Sequence, residues 1–448
     1  MTTQPARLWI RDPMAISADD AGGGVVVSAG RIVECVPSGR APAAPCDLVF
    51  DASRHVIIPG LVNAHHHFYQ TLTRTHPAAI NKELFGWLTA LYPIWARLTP
   101  DTFRISVRLA LAELLLSGCT TAADHHYLFP AGLDRAIDIE VEEAMALGIR
   151  MTVTRGSMNL SQKDGGLPPD SVVQDEETIL VDSERVLNRF HDPAPGSLIQ
   201  IGLAPCSPFS VTPRLMRETA ALAARFDAPL HTHLGETHDE DAFCVATYKC
   251  RPVELLEQTG WLNQRTWLAH GIHFDAGEIA TLGKHGVGVC HCATSNMLLA
   301  SGICPTRDLE AAGSPVGLGV DGSASNDASN MMEALRHALL VGKLKYGAAA
   351  LSHHDVLRWG TEGSARCLGR SDIGKITPGF QADLAFFTLD EPRFSGNHDP
   401  LAALVICGAH RADRVMVGGT WRVADGAVIG LDMGKLLEAH GRAARVFD

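Results

Sequence analysis

The chain alternates short apolar runs that end in polar residues with longer stretches that have the periodicity of amphipathic helices. This alternation is typical of repeated βα units, in which helices join parallel strands. Eight such runs can be identified, and they are residues 55–65, 118–126, 148–156, 198–207, 229–236, 266–273, 287–295 and 316–323. Eight βα units can close on themselves, so the sequence predicts an α/β fold with a (β/α)8 TIM barrel.

The segments on either side of the predicted barrel have the pattern of short strands with glycine turns. They are residues 1–58 and 374–430. We expect them to pair into one small β-sandwich domain, because the two ends of a chain often lie close together in space. The barrel would then span residues 59–373, and residues 431–448 would form a C-terminal helical tail.

Composition excludes several classes of function. The formal net charge is −12 and no block of Lys and Arg occurs, which argues against a nucleic-acid partner. No apolar run is long enough to span a membrane, and no secretion signal is recognisable. The eleven cysteines lack regular spacing, as expected of free thiols in a reducing compartment. We therefore expect a cytoplasmic enzyme without membrane contact that acts on a small molecule as a homo-oligomer, a dimer or larger.

Histidine is concentrated at the ends of the predicted strands. His65 and His67 close the first run, and alternate residues of a strand point to the same side, so these two imidazoles can share one metal ion while His66 faces away. Other polar residues close later strands, namely His231, His233, Glu236, His270 and Asp321. In a barrel, the carboxyl ends of all strands meet at one face, so this pattern predicts a metal site there.

Five motifs carry a resemblance to a known family. They are PGLVNAHHHFYQ (59–70), HTHLGET (231–237), LAHGIHFD (268–275), CHCATSNMLLASGICP (290–305) and GLGVDGSASND (317–327). Together they resemble the amidohydrolase superfamily, specifically its cytosine, guanine and adenosine aminohydrolase branch. The resemblance covers nearly the whole chain.

The resemblance implies a metal-dependent hydrolase. It makes His65, His67, His233 and Asp321 the ligands of a single divalent ion, with zinc expected and iron as the alternative. Binuclear members of the superfamily carry a lysine on strand 4, and the run 198–207 contains none, so one ion is expected. In the catalytic roles, Asp321 would accept a proton from water that His270 holds, and Glu236 would deliver a proton to the substrate.

Within that branch, the pattern most resembles bacterial 8-oxoguanine deaminases, which implies conversion of 8-oxoguanine to urate and ammonia. Guanine deamination and triazine hydrolysis of the hydroxyatrazine ethylaminohydrolase type remain alternatives. A non-catalytic relative is a more distant alternative, but such proteins typically lose metal ligands, and all are present here.

Three residues are candidates for substrate binding. Gln70 resembles the glutamine that guanine-type deaminases place on a purine edge, Arg155 could meet a carbonyl oxygen, and Trp95 could stack on the ring. Each also has a purely structural interpretation, with Gln70 beside a helix cap, Arg155 in an ion pair and Trp95 in the core.

Overall fold

The computed structural model describes residues 6–448. Its strands are β1 (Arg7–Arg11), β2 (Ala15–Ile16), β3 (Gly24–Ser28), β4 (Arg31–Val36), β5 (Leu48–Asp51), β6 (Val56–Pro59), β7 (Leu61–Asn63), β8 (Cys119–His126), β9 (Arg150–Ser157), β10 (Ile199–Pro205), β11 (Leu230–Leu234), β12 (Thr266–His270), β13 (Gly288–His291), β14 (Val316–Leu318), β15 (Leu384–Phe387), β16 (Arg414–Val417), β17 (Thr420–Ala424) and β18 (Ala427–Val428). Its α-helices are α1 (Leu84–Trp95), α2 (Pro100–Leu116), α3 (Ala136–Leu147), α4 (Glu176–Phe190), α5 (Pro213–Phe226), α6 (His238–Tyr248), α7 (Pro252–Gln258), α8 (Ala276–His285), α9 (Ala293–Leu298), α10 (Thr306–Ala312), α11 (Met331–Tyr346), α12 (His353–Arg358), α13 (Ser364–Cys367), α14 (Pro400–Ala403) and α15 (Met433–Ala444).

Strands β7 to β14 form one parallel sheet in chain order, and this sheet curls into a barrel surrounded by helices. The amide of Ala64 donates to the carbonyl of Leu318 over 2.9 Å, which joins the first strand to the last. The predicted (β/α)8 barrel is therefore confirmed. Because the strands are parallel, their carboxyl ends all open at one face of the barrel.

The first predicted run, residues 55–65, is two strands rather than one. Strand β6 pairs with β15 in a small sheet outside the barrel, and β7 pairs with β8 inside it. Gly60 lies between them, and a Cβ atom there would come within 2.1 Å of Thr120 Oγ1. The prediction of a single strand is wrong at this point, because a continuous apolar run does not reveal where a chain passes from one sheet to another.

Two further sheets lie beside the barrel, in the strand orders β4-β3-β1-β5 and β18-β17-β16-β15-β6-β2. A separate apolar cluster lies between them and includes Ile10, Val25, Ile57, Phe386 and Met416. We propose that these sheets form the small β-sandwich, with the domain limits at 58/59 and 373/374 remaining a prediction. Helix α15 packs against α2, and Nε2 of His440 lies 3.1 Å from the Thr71 hydroxyl.

Local signals set the ends of the helices that alternate with the barrel strands. Helix α5 begins at Pro213 after Thr212, whose hydroxyl accepts from the amide of Leu215 over 3.1 Å. Helix α3 is followed by Gly148, which takes the left-handed conformation at φ 68° that ends many helices. Within residues 6–448, we find no helix with the length and apolarity needed to cross a membrane.

Candidate active site

Three imidazoles and one carboxylate converge at the carboxyl face of the barrel. Nε2 of His65 and Nε2 of His67 lie 3.3 and 3.4 Å from the same oxygen, Oδ1 of Asp321. Nε2 of His67 also lies 3.2 Å from Nε2 of His233. The four residues lie in or after three different strands, β7, β11 and β14, and all of them are buried. The structure thus brings together the four residues predicted as metal ligands.

Backbone carbonyls fix the tautomers of two of these imidazoles. Nδ1 of His67 donates to the carbonyl of His125 over 2.8 Å, and Nδ1 of His233 donates to the carbonyl of Cys206 over 2.7 Å. A carbonyl oxygen can only accept, so each ring carries its proton on Nδ1 when it is neutral. Burial lowers the pKa of both rings below the usual range, which keeps them neutral. Their Nε2 lone pairs are therefore free for a cation.

His65 presents its Nε2 in the same way. Its Nδ1 lies 2.7 Å from Nε2 of His231, whereas its own Nε2 is buried without a hydrogen-bond partner. An unpartnered buried nitrogen beside the Asp321 carboxylate fits a divalent ion, because imidazole nitrogens and carboxylate oxygens are both zinc ligands. His66 points away from these ligands, and its Nε2 lies 2.8 Å from the hydroxyl of Ser329.

Glu236 is placed by a tight turn after β11. Gly235 adopts φ 66°, and a Cβ atom there would lie 2.6 Å from Cε1 of Phe274, so a side chain at this position would disturb the turn. Glu236 itself is only 4% exposed. This burial raises the pKa of Glu236 to about 7, although the nearby His270 acts in the opposite direction. A carboxyl group with such a pKa can give up or take a proton near neutral pH.

His270, at the end of β12, lies between the two carboxyl groups. Its Nε2 is 3.5 Å from Oε2 of Glu236 and 4.0 Å from Oδ2 of Asp321. Its Nδ1 donates to the side-chain oxygen of Asn296 over 2.9 Å, which fixes the orientation of the ring. His270 and Asp321 both hold left-handed backbone conformations, with φ of 71° and 64°. Such conformations are unusual for residues other than glycine and concentrate at functional sites.

The Asp321 carboxylate differs from Glu236 in its protonation. Burial alone would raise the pKa of Asp321, but the neighbouring imidazoles of His65, His270 and His67 favour its anionic form and hold the pKa well below the usual range. Asp321 is thus an anion that can accept a proton, whereas Glu236 can hold one. Two carboxyl groups with pKa values pushed apart suit a base and an acid of one reaction.

A cavity lies over these residues. Its wall is mostly apolar and aromatic and includes Leu84, Trp87, Leu88, Tyr92, Tyr127 and Phe209. Gln70 and Ser207 supply polar groups to the wall, and Glu236 and His270 form part of it. A flat heterocycle is the kind of ligand that suits aromatic walls with a few polar groups at the edges.

Of the three predicted substrate-binding residues, the structure brings only Gln70 to this cavity. Its Oε1 accepts from the amide of Ala324 over 3.2 Å. Trp95 lies one layer behind the wall, where it contacts Trp87 and donates to the hydroxyl of Thr73 over 3.1 Å. The core interpretation therefore describes Trp95, and Trp87 is the tryptophan that faces the cavity.

Arg155 lies outside the cavity, on the helix-facing side of β9. Its Nε donates to Oδ2 of Asp182 on α4 over 2.7 Å, and its guanidinium stacks on Phe129 at 3.8 Å. Because alternate residues of a strand face opposite sides, Arg155 shares the side of the buried apolar residues Met151 and Val153. The placement does not support the prediction that Arg155 contacts the substrate.

Some residues of the site were not assigned roles from the sequence. His231 and Asn296 hold ligand or catalytic imidazoles, and Trp87 and Phe209 line the cavity. The sequence His-Thr-His at residues 231–233 was the signal that could have identified His231. Cys292, which directly follows β13 and is fully buried, has its sulfur within 4.8 Å of ligand atoms of three residues of the site. Burial raises the pKa of this thiol, which keeps it in its protonated, poorly ligating form.

Comparison with known proteins agrees with this geometry. The amidohydrolase family matches residues 56–422. The chain is 61% identical to 8-oxoguanine deaminase of Pseudomonas aeruginosa over 98% of both chains. It is 36% identical to isoxanthopterin deaminase from an unknown prokaryotic organism, over 99% of this chain and 97% of that one. The crystal structure of atrazine chlorohydrolase from Arthrobacter aurescens TC1 complexed with zinc superimposes with a TM-score of 0.91 and 30% identity, covering 98% of this chain and all of the other. The chain belongs to the amidohydrolase family.

Proposed function

We propose that this protein is a hydrolytic deaminase that converts 8-oxoguanine to urate and ammonia. The observation that carries the proposal is the 61% identity to the Pseudomonas aeruginosa 8-oxoguanine deaminase over almost the full length of both chains. The cavity supports it independently, because its aromatic wall suits a flat purine and its floor holds a paired acid and base.

In this proposal, His65, His67, His233 and Asp321 hold one divalent ion, zinc, with iron as the alternative. The support is the convergence of their four ligand atoms and the zinc in the related chlorohydrolase structure. Imidazole and carboxylate ligands accept either metal, so the ion is part of the proposal. When bound, such an ion supplies activated water at neutral pH.

The side chains account for the proton movements of the reaction. Asp321 accepts a proton from the water as its oxygen adds to the ring carbon that bears the amino group, and His270 holds the water by a hydrogen bond. Glu236 delivers its proton to the adjacent ring nitrogen. The proton on Asp321 then passes to the amino group, which leaves as ammonia. Glu236 recovers a proton from the new hydroxyl as the ring carbonyl forms, so both carboxyl groups return to their initial states.

Substrate orientation in this proposal depends on the cavity wall rather than on Arg155 or Trp95. Gln70 offers its amide to a polar edge of the purine, and Trp87 offers its ring face. Because the Gln70 side chain already accepts one backbone hydrogen bond, its position in the wall is fixed before substrate binds.

A second candidate function is hydrolysis of a triazine or deamination of guanine in the same site. The specific observation that favours the triazine reaction is the TM-score of 0.91 to the zinc-containing atrazine chlorohydrolase. The metal and acid–base residues would be the same in both functions. The two candidates therefore differ in which heterocycle the cavity wall accepts.

The test is product release by the zinc-loaded protein with 8-oxoguanine, guanine, isocytosine and hydroxyatrazine offered separately. We expect ammonia release with 8-oxoguanine at the highest kcat/KM. A preference for guanine or for the triazine would refute the substrate assignment and leave the metal site intact. In parallel, His233→Ala should lose both bound zinc and turnover, and full zinc content in this variant would refute the ligand set.

The cellular setting is a further part of the proposal. All eleven cysteines are free, and eight of them are buried, which is expected of a protein of the reducing cytoplasm. The homo-oligomeric state and the absence of a nucleic-acid partner stay predictions. Size-exclusion chromatography with light scattering measures the first directly.

A further inference from the structure

His231 lies beneath the metal site, between a proposed ligand and the barrel core. Its Nε2 is 2.7 Å from Nδ1 of His65, and its Nδ1 donates to the backbone carbonyl of Trp267 over 2.9 Å. His231 and Trp267 are both fully buried, so bulk water does not reach either of them. The contact at 2.7 Å holds one proton between two ring nitrogens, so each ring must match the other in tautomer.

The direction of the hydrogen bond between His65 and His231 follows from what each ring contacts with its other nitrogen. The carbonyl of Trp267 can only accept, so His231 carries a proton on Nδ1 and its Nε2 has a lone pair when the ring is neutral. If His65 binds a cation through Nε2, its own proton must lie on Nδ1. That proton is then donated to Nε2 of His231, and all four nitrogens of the two rings have a partner.

Trp267 holds both members of this pair. Its indole stacks on the His231 ring with centroids 4.2 Å apart and planes 10° apart. Its Nε1 donates to the carbonyl of Ala64 over 2.9 Å, and Ala64 directly precedes His65. One side chain on β12 therefore fixes the His231 ring and the backbone that presents His65.

We propose that His231 is a positioning residue for the metal site. Its Nε2 accepts a hydrogen bond from Nδ1 of His65 and so keeps Nε2 of His65 directed at the ion. The inference rests on the proposed function only in that it takes His65 as a metal ligand. Groups that hold metal-ligating histidines in this way typically change metal affinity by about 10- to 100-fold when they are removed. In this protein the partner is a second buried histidine rather than a carboxylate or a carbonyl.

Two amide substitutions separate this role from simple packing. The Gln amide of His231→Gln can reach the position of Nε2 and accept from His65, whereas the shorter amide of His231→Asn can reach only the position of Nδ1 and donate to Trp267. His231→Phe retains the stacked ring and removes both polar contacts. His273→Phe is the matched control, because His273 also lies close to a backbone carbonyl, that of Ser301 at 2.9 Å, but contacts no proposed ligand.

The measurement is zinc affinity of the metal-free protein by competition with a chromogenic chelator, with thermal unfolding in the presence and absence of zinc as the second readout. We expect His231→Asn and His231→Phe to bind zinc about 10- to 100-fold more weakly, and His231→Gln and His273→Phe to bind near the wild-type affinity. The rise in melting temperature on adding zinc should follow the same order.

Two results would overturn the proposal. One is wild-type zinc affinity in folded His231→Asn or His231→Phe. The other is an equal loss in His231→Gln and His231→Asn, whether of zinc affinity or of the fold itself. Such a result would mean that His231 acts through packing, because only the Gln amide can replace the acceptor for His65. A wild-type chain that binds no zinc would instead refute the metal site of the proposed function, so the two failures can be told apart.

Discussion

Glu236→Gln tests the acid–base mechanism most directly. The substitution preserves the size of the side chain and removes the transferable proton, at a residue that is 4% exposed and whose carboxyl group lies 3.5 Å from Nε2 of His270. A positioned general acid contributes about 10²- to 10⁴-fold in rate, which corresponds to roughly 2.7 to 5.4 kcal/mol of barrier. We expect kcat to fall by that factor, with zinc content and melting temperature retained.

The pH profile supplies a second readout of the same variant. Because the pKa of Glu236 is raised to about 7, the wild type should lose kcat as the pH rises through that value and the proton is lost. The Gln variant should lack this decline in its residual activity. The assay is steady-state ammonia release between pH 5 and 9 in buffers of constant ionic strength.

Glu240→Gln is the matched control for this experiment. Glu240 is also buried, with its pKa raised to about 8 by burial, and its Oε1 accepts from the amide of Gly235 over 2.7 Å, a contact that a Gln oxygen can maintain. It should keep turnover near the wild-type rate. A wild-type kcat in Glu236→Gln, or the same loss in both variants, would refute the role of Glu236 as the proton donor.

Three further predictions concern stability and the cavity wall. Arg150→Met should cost about 3–5 kcal/mol of unfolding free energy in urea titrations, because it leaves the buried carboxylate of Asp383 unpaired, and an unchanged midpoint would contradict this. Trp87→Leu should raise KM for the substrate, whereas Trp95→Leu should lower the melting temperature with little effect on KM. The reverse result would mean that Trp95, and not Trp87, lines the cavity. Burial raises the pKa of Asp124 to about 8, so this carboxyl group binds a proton more tightly in the folded chain than in the unfolded one. Its contribution to stability therefore falls as the pH rises from about 4 to 8. In thermal unfolding across this range, the melting temperature of Asp124→Asn should depend less on pH than that of the wild type.

The sequence predicts the barrel and its reactive face because a single physical rule connects them. Parallel strands deliver their carboxyl ends to one face, so polar residues that close separate runs must meet there. His233, His270 and Asp321 are far apart in the chain and meet for this reason. Their exact distances, and the pKa shift of Glu236, depend on burial, which the sequence does not specify.

The substrate-binding residues are harder to predict, for reasons that differ between Arg155 and Trp95. Arg155 lies within a strand, where alternation places it on the side of Met151 and Val153, so the period of two favours an orientation away from the barrel interior. Trp95 and Trp87 lie in one helix and are both buried, and only tertiary packing decides which of them reaches the cavity. A sequence pattern identifies a buried aromatic residue but not the layer it occupies.

The two His-x-His pairs illustrate how one pattern can have two meanings. His65 and His67 follow β7 in irregular backbone at the mouth of the barrel, so both can turn their Nε2 atoms toward Asp321. His231 and His233 lie within β11, where residues two apart face the same side but occupy successive layers of the barrel interior. His233 therefore reaches the site, whereas His231 lies one layer deeper and meets His65 from below. Where a pair stands relative to the strand end thus decides whether it supplies two ligands or one ligand and its support.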